Sequence, residues 1–330
     1  EGTGKLGAYL YKRAGKAALS GDDTTALVAY RAGVDLFQQV GNLAGQGHAT
    51  RGVGLALADL GRDEESLAAN RVAADLFQQI GNVSGRDLAT RGVGVALFNL
   101  GRYEESLAAY QVAAGLAEQV GDVSGHALAT HDVGRALSKL GRDEESLAAY
   151  RVAAGLSEQA GDQAGLALAT RSVGDALFAL GRHEESEASY RASMTICDHA
   201  GDVSGAADAL SGLSAVLRGA GSVVAAVDTA KDAVALAAGV GGETLEHAQI
   251  RLAEALLANG SVGQAEEVVA LVAGGIGDAV QPRRDLTRSR LHFARGQYAD
   301  AEVLLRSLLG RVAGGDRVDV LLLLAVVLLS

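Results

Sequence analysis

Basic side chains recur along this chain at intervals of forty residues. Arg51, Arg91 and Arg171 stand at that spacing, His131 fills the slot between the last two, Tyr11 precedes them and Ser211 follows. Guanidinium groups bind carboxylates through paired N–H donors, so such a row suits acidic groups on a partner or ligand. An arginine at a fixed slot can equally pair with acids of an adjoining repeat, and both readings stay open here. Around His131 the chain departs from its own pattern: His131, Asp132, Arg135 and Lys139 replace Arg91, Gly92, Val95 and Asn99. With Asp175 from the following copy they are candidates for a charged cluster, while drift on a solvated face would leave the same marks. Adjacent side chains diverge on a helix, so His131 and Asp132 make no relay by themselves.

Other chemistry finds little support. The seven histidines include no His-Glu-x-x-His and no i, i+4 pair, so no helical metal site is expected. A single cysteine, Cys197, excludes an internal disulfide and a cysteine-based zinc site. Its neighbours Met194 and Ile196 mark it as a small buried hydrophobe. Gly-Val-Gly at 52–54 and 92–94 follows no strand, and Gly2-Thr3-Gly4-Lys5 lacks the spacer of a phosphate-binding loop. Arg283, Arg284, Arg288, Arg290 and Arg295 form the most basic stretch, but Asp285, Asp300 and Glu302 dilute it. A solvated face is the expectation there. No catalytic residue, metal or cofactor is assigned, and the sequence leans away from an enzyme.

The elements that carry these residues follow from composition and period. Of 330 residues 48% are hydrophobic, with 44 glycines, one proline, no tryptophan and 4% aromatics. Such a mixture favours packed helices over sheets. The net charge of −11 argues against a general nucleic-acid binder. Lys5, Lys12, Arg13 and Lys16 interrupt the first twenty residues, leaving no signal-peptide core. With the lone cysteine this makes the cytoplasm the expected location. The chain starts at Glu1 and reads as an excised piece. Residues 318–329 are almost wholly apolar but too few to span a bilayer, so they read as a buried helix lacking its cover.

The period itself is explicit. Gly61, Gly101, Gly141 and Gly181 each open Gly-Arg-x-Glu-Glu-Ser, and residues 61–100 match 141–180 at 27 of 40 positions without a gap. Within 85–120, Leu88, Val93, Ala96, Leu97 and Leu100 recur at helical spacing, Gly101 breaks the run, and Glu104-Glu105 start a second one. Each forty residues therefore encode a helical hairpin. Copies three, four and five keep Leu-Ala-Thr, Val-Gly and Ala-Leu in the first helix and vary on one face.

These residues resemble the tetratricopeptide repeat family in a forty-residue form: Gly94, Leu97, Gly101, Ser106, Tyr110 and Ala113 carry the marks in one copy. Thr50, Thr90, Thr130 and Thr170 stand where the family often has an aromatic, and no proline closes the second helix. The resemblance implies an all-α, right-handed α-solenoid of about eight helix-turn-helix repeats spanning 1–330 as one superhelical domain. Residues 7–204 would form five regular units. Residues 205–330 would form degenerate ones (205–239, 244–275 and 282–313) and a C-terminal helix. It further implies that the variable face lines a concave groove that binds a protein or peptide segment. Tyr11, Arg51, Arg91, His131, Asp132, Arg135, Lys139, Arg171, Ser172 and Asp175 would line it. The alternative is a groove that senses or acts on a small anionic molecule. The Gly-Asp turns and the use of 24 arginines against 5 lysines resemble the arrays of actinobacterial regulators. A homodimer through the C-terminal repeats is a further expectation; nucleic acid and membrane are not expected partners.

Overall fold

Apolar positions at three- and four-residue steps, cut every twenty residues by glycine, give a chain made of helices. The computed structural model describes residues 2–272, 281–312 and 314–329. Within them lie α1 (Gly2–Leu19), α2 (Asp23–Gln39), α3 (Leu43–Asp59), α4 (Asp63–Gln79), α5 (Val83–Asn99) and α6 (Tyr103–Gln119). Next come α7 (Val123–Lys139), α8 (Asp143–Ala160), α9 (Gln163–Ala179), α10 (His183–Ala200), α11 (Val203–Gly219) and α12 (Val223–Ala237). The last are α13 (Gly242–Ala258), α14 (Val262–Leu271), α15 (Gln281–Ala294), α16 (Tyr298–Leu308) and α17 (Gly314–Leu329). The described residues contain no strand. The ends of the expected hairpins 244–275 and 282–313, and Ser330, lie outside the described residues.

The helices fall into two compact units, Glu1–Leu137 and Ser138–Ser330. In the first, α1 to α6 pack each on the next, and α1, α3 and α5 also touch one another in sequence. In the second, α8 to α14 pack in the same successive manner, with α9, α11, α13 and α15 forming a layer of first helices. This is the all-α, tetratricopeptide-like solenoid architecture that the resemblance implies.

Two devices repeat at the turns. Asn42, Asn82, Asp122, Asp162 and Asp202 each accept a hydrogen bond from the backbone N–H three residues on, at 2.9 Å, and so cap the first helices. At the second helices the capping residue is arginine, and its guanidinium grips a glutamate on the first turn. Arg62 with Glu65, Arg102 with Glu105, Arg142 with Glu145 and Arg182 with Glu185 all pair through two N–H donors. The breaking glycines adopt positive φ, for example 74° at Gly101 and 72° at Gly141, a region other residues enter at a cost.

Between the helices the core is built on a wedge. Ser66, Ser106 and Ser186 donate to the carbonyls of Gly54, Gly94 and Gly174, twelve residues earlier, at 2.7, 2.8 and 2.7 Å. Four residues after each serine, Asn70, Tyr110 or Tyr190 fills the space that those glycines leave. Asn70 also abuts Gly92, and Tyr190 abuts Gly212, so one side chain locks two successive first helices.

The apolar end forms α17. Val320, Leu324 and Val327 are buried against Leu286, Ala301, Leu305 and Leu308, whereas Leu322, Val326, Leu328 and Leu329 are exposed. The helix is thus buried on one face rather than all round.

Candidate functional site

The repeated arginines project from the first helices, and each meets a different environment. In the first unit Tyr11 packs edge-on against Tyr30, with ring centroids 5.5 Å apart. Arg51 is half-buried, and its Nε has no hydrogen-bond partner. Arg91 donates from Nε to Asp132 Oδ2 at 2.7 Å, and Arg135 donates to the other oxygen of Asp132 at 3.1 Å. The Asp132 side chain is only 4% exposed, so the two guanidiniums neutralise a charge removed from water. Arg135 also lies over the Phe98 ring, 4.6 Å from its centroid, a cation–π arrangement. His131 is buried beside them in sequence. The structure therefore joins Asp132 and Arg135 with Arg91 of the preceding repeat. Pairing with the adjoining repeat, one of the two readings open for the arginine row, is what Arg91 does.

Asp87 lies one turn before Arg91 on α5 and is almost wholly buried, with Oδ1 lacking a partner. Burial and, secondarily, the charge of Asp122 raise its carboxyl to a pKa of about 6, with Arg91 opposing.

In the second unit Arg171 pairs with Asp208 of α11. Burial opposes ionisation of Asp208, but His247 and Arg171 outweigh it and hold the carboxyl below the usual range. Asp175 accepts a 2.5 Å hydrogen bond from the Tyr190 hydroxyl, and burial pushes that hydroxyl's pKa well up. Ser172 donates back to the Leu168 carbonyl at 3.0 Å. Lys139 ends α7. Ser211 is buried with Oγ unpartnered.

The row does not stop at Ser211. Forty residues on stands Arg251, its side chain 10% exposed and its Nε unpartnered. A cavity of about 230 Å³ is lined by Arg171, Asp175, Tyr190, Asp208, His247 and Arg251. Burial keeps His247 below the ordinary histidine range, with Arg251 and Arg283 adding to that effect. On its far side Arg251 shares Glu254 with Arg218, Arg283 and Arg290. Sequence reasoning placed Arg283, Arg284 and Arg290 on a solvated face. Instead Arg283 and Arg290 turn to Glu254, and Arg284 is 9% exposed against Asp285. The forty-residue step from Ser211 was the signal for Arg251, but the Leu-Ala-Thr and Val-Gly marks that would have fixed the register are gone from α13.

Among the described residues no group of three histidine, cysteine, aspartate or glutamate side chains could hold a metal ion, and no helix is long and apolar enough to cross a membrane. Cys197 is buried.

No family model matches the chain, and no curated protein matches it in sequence. Solved structures do. One is the signal transduction ATPase with numerous domains from Pyrococcus horikoshii, which carries a tetratricopeptide repeat sensor. It superposes with a TM-score of 0.65 at 12% identity, over 80% of this chain and 40% of that one. Aspartyl phosphate phosphatase F from Bacillus subtilis gives 0.63 at 16% identity, over 83% and 73%. A Rap protein complexed with competence and sporulation factor gives 0.55 at 15% identity, over 79% and 76%. At these identities the likeness is one of fold, and the fold of this chain is that of tetratricopeptide repeat arrays.

Proposed function

We propose that the chain is a non-enzymatic binding module that takes a protein or peptide segment bearing acidic groups along the exposed face of its first helices. One observation carries this reading. In the first helices of copies three, four and five the variable positions, among them 91/131/171, 95/135/175 and 98/138/178, recur at three- and four-residue steps along one face, and cations there remain partly open to solvent. The side chains of Arg91, Arg135 and Arg171 are 33%, 44% and 25% exposed. A guanidinium already held by one carboxylate keeps further N–H donors for another. The Rap protein of similar fold is complexed with competence and sporulation factor, and the Pyrococcus protein carries its repeats as a sensor. Both support a regulatory, partner-sensing role; the cytoplasm is the place proposed for it.

The test is selection from a random decapeptide library on the full chain, followed by titration of the enriched peptides. Enrichment in Asp and Glu is expected. Affinity should fall at least tenfold in the Arg51→Ala, Arg135→Ala, Arg171→Ala triple variant and should weaken as salt rises. Enrichment without acidic bias, or unchanged affinity in a triple variant whose circular dichroism is intact, overturns the reading.

A further inference from the structure

One slot of the repeat changes its occupant along the chain. Phe37 of α2 and Phe77 of α4 stand forty residues apart, and the next places at that step are Ala117, Ser157, Cys197 and Ala237. The Phe77 ring is wholly buried. A Cβ would lie 2.9 Å from it at Gly47 of α3 and 2.5 Å from it at Gly85 of α5, thirty residues before and eight after. Phe37 meets Gly7 and Gly45, at 3.1 and 2.5 Å, with the same offsets. These glycines make the room that each ring fills.

At Cys197 of α10 the room persists without the ring. The equivalent neighbours are Ala167 of α9 and Gly205 of α11, and a cavity of about 300 Å³ lies there, lined by both of them together with Cys197, Ala164, Leu168 and Ser193. It is the same slot. Leu168 stands 120 residues after His48, whose ring packs on Phe77 at 4.9 Å, and Ser193 stands 120 after Ala73, which shares a buried cluster with Phe77. Ala167 takes up one methyl of the space that Gly47 leaves open. The volume is at the lower end of the range for small-molecule pockets, about 300–1,000 Å³, a size that suits one ring and not a fused pair. The lining meets solvent at Ala164, which is exposed, and at Arg171 and Asp208, whose side chains are 25% exposed. Ala164, Leu168 and Arg171 follow one another at steps of four and three, so the cavity opens on the face that carries the arginine row.

We propose that this cavity receives a phenylalanine side chain of the bound segment, so that a ring supplied by the partner takes the place that Phe77 fills from within the chain. The inference rests on the peptide-binding reading and names a side chain that the segment carries. Burial of the ring removes apolar surface from water, and Ala167, Leu168 and Cys197, a small hydrophobe, are the walls it meets. Arg171 is held to Asp208 through Nη1 and keeps N–H donors for a backbone carbonyl beside the ring.

The experiment is a ligand-observed NMR titration of the full chain with N-acetylphenylalanine amide, against N-acetylalanine amide and N-acetyltryptophan amide. The probes are uncharged, so their binding is independent of any preference for acidic groups. We expect the phenylalanine probe to bind at least tenfold tighter than either control. Cys197→Phe combined with Ala167→Gly rebuilds the packing of the second hairpin inside the cavity, and binding should fall at least tenfold. Ala164→Phe, at an exposed position on the rim, should lower binding likewise and serves if the double variant does not fold. Equal affinity for the phenylalanine probe and either control, or full affinity in a folded plugged variant, overturns the proposal. If that happens while library peptides rich in Asp and Glu still bind, the peptide-binding reading stands and the ring pocket falls. A phenylalanine probe that binds where no acidic preference is found upholds the pocket and removes the acidic part of that reading.

Discussion

The Tyr190 ring occupies the space beside Gly212, where a Cβ would lie 2.1 Å from Cε1 of the ring. Tyr190 is 3% exposed and also abuts Gly174 of its own hairpin, so it has no room to retreat. Gly212→Ala should therefore destabilise the chain by about 1–3 kcal/mol through overpacking. Gly115, in the middle of α6, faces open space, with nothing within 4 Å of where a Cβ would stand. Gly115→Ala should stabilise by about 0.5–1 kcal/mol through helix propensity alone. Urea denaturation of both variants checks the pair; equal effects would show that the wedge has no part in the joint.

Asp132 depends on Arg91 and Arg135. Arg91→Ala removes the shorter of its two contacts and leaves an almost buried carboxylate half-satisfied. A loss of about 1–3 kcal/mol is expected. The double variant Arg91→Ala, Asp132→Asn should recover part of it, as a double-mutant cycle by thermal denaturation would report.

Asp87 gives the first unit a pH signature. Its folded pKa of about 6 lies above the ordinary aspartate value, so the folded state holds a proton that the unfolded chain has already released between pH 4 and 6. Stability from this residue is highest at low pH and declines as pH rises through that window, flattening above the folded value. The decline amounts to about 2–3 kcal/mol at most. Asp87→Asn should abolish it and raise stability at pH 7 by about 1–2 kcal/mol, measured as denaturation midpoints from pH 4 to 8.

Glu254 behaves in the opposite sense. Burial would raise its pKa, but Arg283, Arg251, Arg218 and Arg290 together depress it well below the usual carboxylate range. Its stabilising effect is full above the unfolded glutamate value and is lost only when pH falls through the depressed folded value. Glu254→Gln removes the charge that four guanidiniums share and should cost about 3–5 kcal/mol at pH 7. Hydrogen exchange on α13 and α15 would localise the loss.

Fold and site were unequally legible. The forty-residue period gave the hairpins, because each copy keeps its capping Asn or Asp, its breaking glycines and its Ser–Gly spacing. Arg91 and Arg171 were legible as a row for the same reason. Their partners were harder to see: Asp208 lies 37 residues after Arg171 and Asp132 lies 41 after Arg91, offsets that only the packing of one first helix on the next brings together. Glu254 and its arginines escaped notice because α13 and α15 have shed the marks that set the register. A basic stretch diluted by acids reads as solvated until the buried carboxylate it serves is located.

The wedge gives the regular hairpins a common internal joint. Asn70 or Tyr110, set four residues beyond its serine, meets the same glycine slot in its own hairpin, Gly54 or Gly94. Excising residues 61–100 would bring the Gly101 turn onto α3 and present Tyr110 where Asn70 stood, with every capping side chain still in phase. Chain length is thus the property this sequence guards least. Recombination between its near-identical copies can lengthen or shorten the array by one hairpin and keep the capping and turn contacts in phase.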